Sequence, residues 1–189
     1  MRLYLLARRS VGAVLRCPVR QLDRSNHSTR RSLARLLGTR APDAVLLVRL
    51  AVATVFLSEG VQKFLFAASL GSGRFAKIGI PLPAVTGPFV GAVEIACGLL
   101  VLLGLLTRVA ALLLVANMTV ALASTKLPIL LGHGYWLFAH TFAPKAGWWD
   151  FLHESRTDMT MWWACAFLAR VGAGGRSLDA VMSRGMRAP

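Results

Sequence analysis

Apolar positions along this 189-residue chain neither alternate nor recur as narrow stripes; they run on in long blocks broken by short polar or glycine-rich stretches. The blocks fall at about residues 44–66, 88–106, 109–131 and 158–174. A hydrocarbon core of about 30 Å needs about 20 helical residues at 1.5 Å each. The first three blocks reach that length, with Pro128 expected to end the third helix early. The fourth is shorter, with Arg170 placed to snorkel its head group to the interface. The pattern predicts an all-α membrane protein, an antiparallel bundle of four transmembrane helices.

The connections set the order of the helices. "LLTRV" at 105–109 leaves room only for a tight helical hairpin, so the second and third helices are expected to be antiparallel neighbours. Residues 67–87 are rich in Gly and Pro. Residues 132–157 carry seven aromatic side chains and three His, a composition that suits an aromatic belt at the headgroup level or a lid over a pocket. Charge then orients the bundle. With the amino terminus inside, Arg108, Arg170, Arg176, Arg184, Arg187 and ten Arg of the leader share the inner side. Lys63, Arg74, Lys77, Lys126, Lys145 and Arg156 lie outside, so both termini are expected to be cytoplasmic.

Composition agrees with a lipid solvent: 56% of residues are hydrophobic, 16% are charged, and the mean hydropathy is +0.58, against about 25% charged residues in soluble domains. The net charge of +14 is uneven, because residues 1–42 hold ten Arg and one acid, Asp23. This divides the chain into a basic cytoplasmic tail (1–42), a membrane domain (43–176) and a basic carboxy-terminal tail (177–189). In the first tail Leu33, Leu36 and Leu37 share one helical face, as in a helix lying on the inner surface. Anionic lipid is the partner expected at both tails. No nucleic-acid module accompanies them, so nucleic acid is not expected. The apolar run near the start, Leu3 to Ala7, is shorter than the core of a secretory signal. A mitochondrial transit peptide over residues 1–42 stays open as the alternative to a bacterial tail. Cys17, Cys97 and Cys165 are widely spaced and make neither a disulfide framework nor a zinc site.

Against this apolar background a few ionisable residues are conspicuous. Glu59 and Lys63 lie one helical turn apart near the outer end of the first span. Glu94 lies in the second at an expected depth of about 9 Å, counted from Pro88. It shares a face with Gly91 and Gly98, a small-residue surface suited to close helix approach. Asn117, with Ala121 and Ser124, faces the same way on the third span. His153, Glu154, Arg156 and Asp158 cluster in "HESRTD" at the mouth of the fourth, with Arg156 expected to pair with Glu94. Charges at such depth are costly and are therefore paired, protonated or functional. Two readings stay open for this polar cluster: ion pairs that fasten the bundle, and a proton-exchanging site for a polar ring such as a quinone head group.

"GVQKF" closing the first span, "EIACGLLVLLGLLTR" in the second and "GAGGRSLDA" after the fourth resemble the DoxX family of small four-helix membrane proteins, over roughly residues 44–180. The chain departs from that pattern at Glu59, where the family often has His. The resemblance implies a bacterial inner-membrane protein and a membrane subunit of a redox assembly, quinone-linked or thiol- or sulfur-linked, with a redox partner protein; a homo-oligomer stays open apart from it. It supplies no agreed catalytic residues, and no flavin, haem or nucleotide motif is present, so any electron transfer would need a bound quinone or a partner subunit. The alternative is a non-enzymatic assembly or small-solute component.

Overall fold

The computed structural model describes residues 42–140 and 146–185. The surface helix expected around Leu33, and Cys17, Lys145 and Arg187, lie outside the described residues. Within them the chain is helical and has no strand; an isolated bridge pairs Tyr135 with Phe138.

The elements are α1 (Val45–Leu65), α2 (Ser72–Ile78), α3 (Pro83–Leu103), α4 (Thr107–Ala121), a π-helical turn (Leu122–Lys126) leading into α5 (Leu127–Leu131), α6 (Trp148–Val171) and α7 (Leu178–Gly185). Among the described residues three helices are long and apolar enough to cross a membrane: α1, α3 and the continuous run Thr107–Leu131. α6 has 24 residues, but its first half carries Asp150, Glu154, Arg156 and Asp158.

The boundaries differ from the sequence reading in three places, each for a local reason. α3 starts at Pro83 and runs through Pro88: at the first helical position Pro83 gives up a donor that has no use there, while Pro88 gives up one bond to the Ala84 carbonyl that the rest of the helix tolerates. Glu94 is therefore about 16 Å from the start of its helix, near its middle and deeper than expected. Pro128 does not end the third span. The π turn before it pairs Leu127 N–H with Leu122 O, so the next donor in register would be Pro128, which has none. The Ala123 carbonyl left over accepts the Tyr135 hydroxyl at 2.7 Å. Finally α6 begins at Trp148, ten residues before the expected start, so "HESRTD" sits inside a helix and not at its mouth.

The helices pack as two antiparallel pairs. α1 lies on α3, since Arg49 meets Val101 and Leu102 while Lys63 meets Glu94. α4 lies on α6, since Trp162 donates to Thr119 and Lys126 meets Asp158. Gly60 and Gly91 set the α1–α3 distance: a Cβ on Gly60 would come within 2.8 Å of the Gly91 carbonyl. The pairs join at the αL turn of Gly104 (φ 68°), where Leu105 N–H bonds to Leu100 O and Gly104 N–H to Val101 O, a Schellman stop.

That end of the molecule is the closed one. Val52, Phe56, Cys97, Val101, Leu114, Cys165 and Leu168 form its core. Beneath them Arg49, only 2% exposed, donates to the carbonyls of Val101, Leu102, Ala173 and Arg176 at 2.6–3.1 Å. Asp179 on α7 accepts the Leu106 and Thr107 N–H groups at 2.8 and 3.0 Å. A charge of each sign thus satisfies backbone groups that helix ends leave open.

Candidate functional site

Towards the other end the two pairs part around a cavity of about 340 Å³, a size in the range of small-molecule sites. Its ionisable lining comprises Glu59 and Lys63 from α1, Arg74 from α2, Glu94 from α3, Lys126 from the π turn, and Glu154 and Asp158 from α6. Phe56, Phe75, Ile78, Met118 and Met161 make the apolar wall.

Glu94 is the buried centre. Lys63 Nζ lies 2.6 Å from its Oε2 and Asn117 Nδ2 donates to its Oε1 at 2.9 Å. The Gly60–Gly91 crossing brings Lys63 that close. The same ammonium lies 3.7 Å from Glu59 Oε2, and the Glu59 side chain is 54% exposed. On the opposite wall Lys126 Nζ is 3.5 Å from Asp158 Oδ2. Ser124 and Ala121 also line the cavity.

The structure therefore brings Glu59, Lys63, Glu94, Asn117, Glu154 and Asp158 to one cavity. It does not bring Arg156 to Glu94. Arg156 is on an exposed face of α6, where Nη1 lies 3.1 Å from the His153 ring, and neither residue lines the cavity. The cause is the early start of α6, which turns these two positions outward. Among the described residues no group of three or more His, Cys, Asp and Glu is placed to hold a metal ion. Cys97 and Cys165 are free and buried.

Lys126 and Arg74 were missed by the sequence reading. On a regular helix Lys126 would lie about half a turn away from Asn117; the π turn, a feature that often marks functional sites, rotates it back to the cavity. Its only sequence signal is Pro128. Arg74 belongs to a short helix that hydropathy does not reveal.

Several long apolar helices around a polar cavity define a multi-pass membrane protein. The DoxX family model matches residues 44–127. An uncharacterized membrane protein of Mycobacterium tuberculosis, Rv3486, is 45% identical over 153 residues, 81% of this chain and 90% of the relative. The chain belongs to the DoxX family. No solved structure matches it.

Proposed function

We propose that the protein is a four-span bacterial inner-membrane subunit of a redox assembly, with both termini cytoplasmic, and that its cavity takes a quinone head group. The observation that carries this reading is the cavity itself, which combines an apolar wall for a ring with carboxylates and ammonium groups for its oxygens. Lys63 and Lys126 offer donors to quinone carbonyls; Glu59, Glu94 and Asp158 offer acceptors to quinol hydroxyls. Reduction of a bound quinone takes two electrons from a partner's thiol or sulfur donor, which is oxidised, and two protons, which exposed Glu59 is placed to pass inward. The bacterial assignment rests on the family resemblance, and the cytoplasmic termini rest on Arg108, Arg170, Arg176 and Arg184, all at the Arg49 end, by the positive-inside rule.

A second reading is favoured by one feature: both Glu94 oxygens already have partners, as in a fastening ion pair of a non-enzymatic assembly component. A ring-azido quinone applied to the purified protein separates the two. Labelling of cavity peptides that unlabelled quinone competes away supports the first; absence of labelling at saturating probe rejects it. Orientation is checked with Lys77→Cys and Arg184→Cys, both at exposed positions. A membrane-impermeant thiol reagent added from outside is expected to label the first and spare the second.

A further inference from the structure

The walls of the cavity are unequal. α1 and α3 touch along their length, as do α4 and α6, but α1 and α6 meet far more sparsely. Both contribute to the closed core, through Val52 and Phe56 on one and Cys165 and Leu168 on the other. Beyond it, the two helices face the cavity with Glu59 and Lys63 across from Glu154, Thr157 and Asp158. Glu59 and Thr157 are exposed. Glu59 lies about 9 Å inside the end of α1, where a carboxylate turned to acyl chains is unfavourable; the gap beside it calls for water or a polar head group. Ala51, at i−8 from Glu59, and Ala164, at i+7 from Thr157, continue the two sides of the seam as apolar flanks.

The far mouth of the cavity is covered. α2 lies across it, with Phe75 and Ile78 in the lining, and is held by Ala139 N–H donating to Ile78 O at 2.8 Å. A cavity of about 340 Å³ holds a substituted ring but not a tail of several isoprene units. Resting on the quinone reading, we infer that the seam between α1 and α6 is a lateral portal: a long-tailed amphiphile enters from the bilayer, its polar head lodges between Lys63 and Asp158, and its tail stays outside along α1 and α6.

The test uses the full chain in lipid nanodiscs with two isoprenoid quinones, one carrying an azide on the ring and one at the tail end. The ring azide is expected to label cavity peptides and the tail azide the lipid-facing sides of α1 and α6 near Ala51 and Ala164. Ser58→Trp, a bulky plug at an exposed position beside Glu59 and outside the cavity lining, is expected to cut ring labelling by the long-tailed quinone at least tenfold, while a tailless quinone labels within threefold of wild type. Ring labelling with the tail mapped to α2 or residues 132–140 overturns the portal and leaves the quinone reading standing. So does labelling indifferent to the plug in a variant that melts like wild type. Loss of all ring labelling in wild type overturns the quinone reading, and the portal with it. A protein partner crosslinked in the seam in place of the tail also overturns the portal.

Discussion

Replacing Arg49 by methionine keeps most of the apolar stem and removes the guanidinium that ties α1 to the ends of α3 and α6. Four hydrogen bonds to backbone carbonyls go with it. Val101 O keeps a second donor in Gly104 N–H, so three carbonyls are left without one. An orphaned buried acceptor costs about 1–3 kcal/mol, and water entering at the end of the bundle keeps the sum near the lower limit, about 3 kcal/mol. Even on the weaker scale measured inside membranes, about 0.6 kcal/mol per contact, four bonds give about 2 kcal/mol. Arg49→Lys keeps the charge, but its single nitrogen cannot span acceptors spread across a guanidinium fork, so about half the loss is expected. Denaturant unfolding in detergent micelles, followed by circular dichroism, measures both variants. An Arg49→Met protein within about 0.5 kcal/mol of wild type, a quarter of the smaller sum above, would show that the carbonyl contacts do not hold this end together.

Three further outcomes are expected. Asp179→Asn leaves one good acceptor for two N–H groups and removes a negative charge from the start of α4, so it should destabilise by about 1–2 kcal/mol in the same assay; no loss would refute the capping role. Glu94→Gln and Lys63→Gln should each lower the melting temperature if the pair fastens the bundle, with the double variant losing less than the sum, whereas a ligand-handling Glu94 predicts near-native melting with quinone labelling lost. Tyr135→Phe frees the Ala123 carbonyl and should cost about 1 kcal/mol. Burial raises the Tyr135 phenol above its ordinary value, so its stabilisation is full below pH 10 and lost as pH rises through the folded value; the downward stability slope of the wild type above pH 10 should be shallower in Tyr135→Phe.

What the sequence disclosed and what it hid follow from the range of the interactions involved. Long apolar blocks and the 105–109 hairpin are local, and the three membrane-length helices were legible from them. Glu59, Lys63, Glu94 and Asn117 were legible as a cluster because polar residues stand out on an apolar face. The partner of Glu94 was not, because the choice between Lys63 and Arg156 depends on how closely Gly60 lets α1 approach α3 and on where α6 begins. "WWDFLH" ahead of the fourth block is too polar to announce a membrane helix, so the start of α6 was set ten residues late. Arg49 was counted as a topology signal; its four acceptors lie 52 to 127 residues away, and no pattern in the chain encodes them.

The two ends of the protein handle charge in different ways, and the contrast bears on which reading of the cavity is the better one. At the closed end Arg49 and Asp179 are consumed by backbone groups, which cannot change protonation or move away. In the cavity the partners are side chains: Lys63 is shared between a carboxylate at 2.6 Å and another at 3.7 Å, and Lys126 and Asp158 stand 3.5 Å apart. A fastener between α1 and α3 needs only Lys63 and Glu94, which together are neutral. Glu59 adds a second negative charge beside them, half exposed at membrane depth, where it weakens a pair meant only to hold helices together. A surplus carboxylate is a liability for a fastener, but a site that exchanges protons and hydrogen bonds with a bound head group has a use for it.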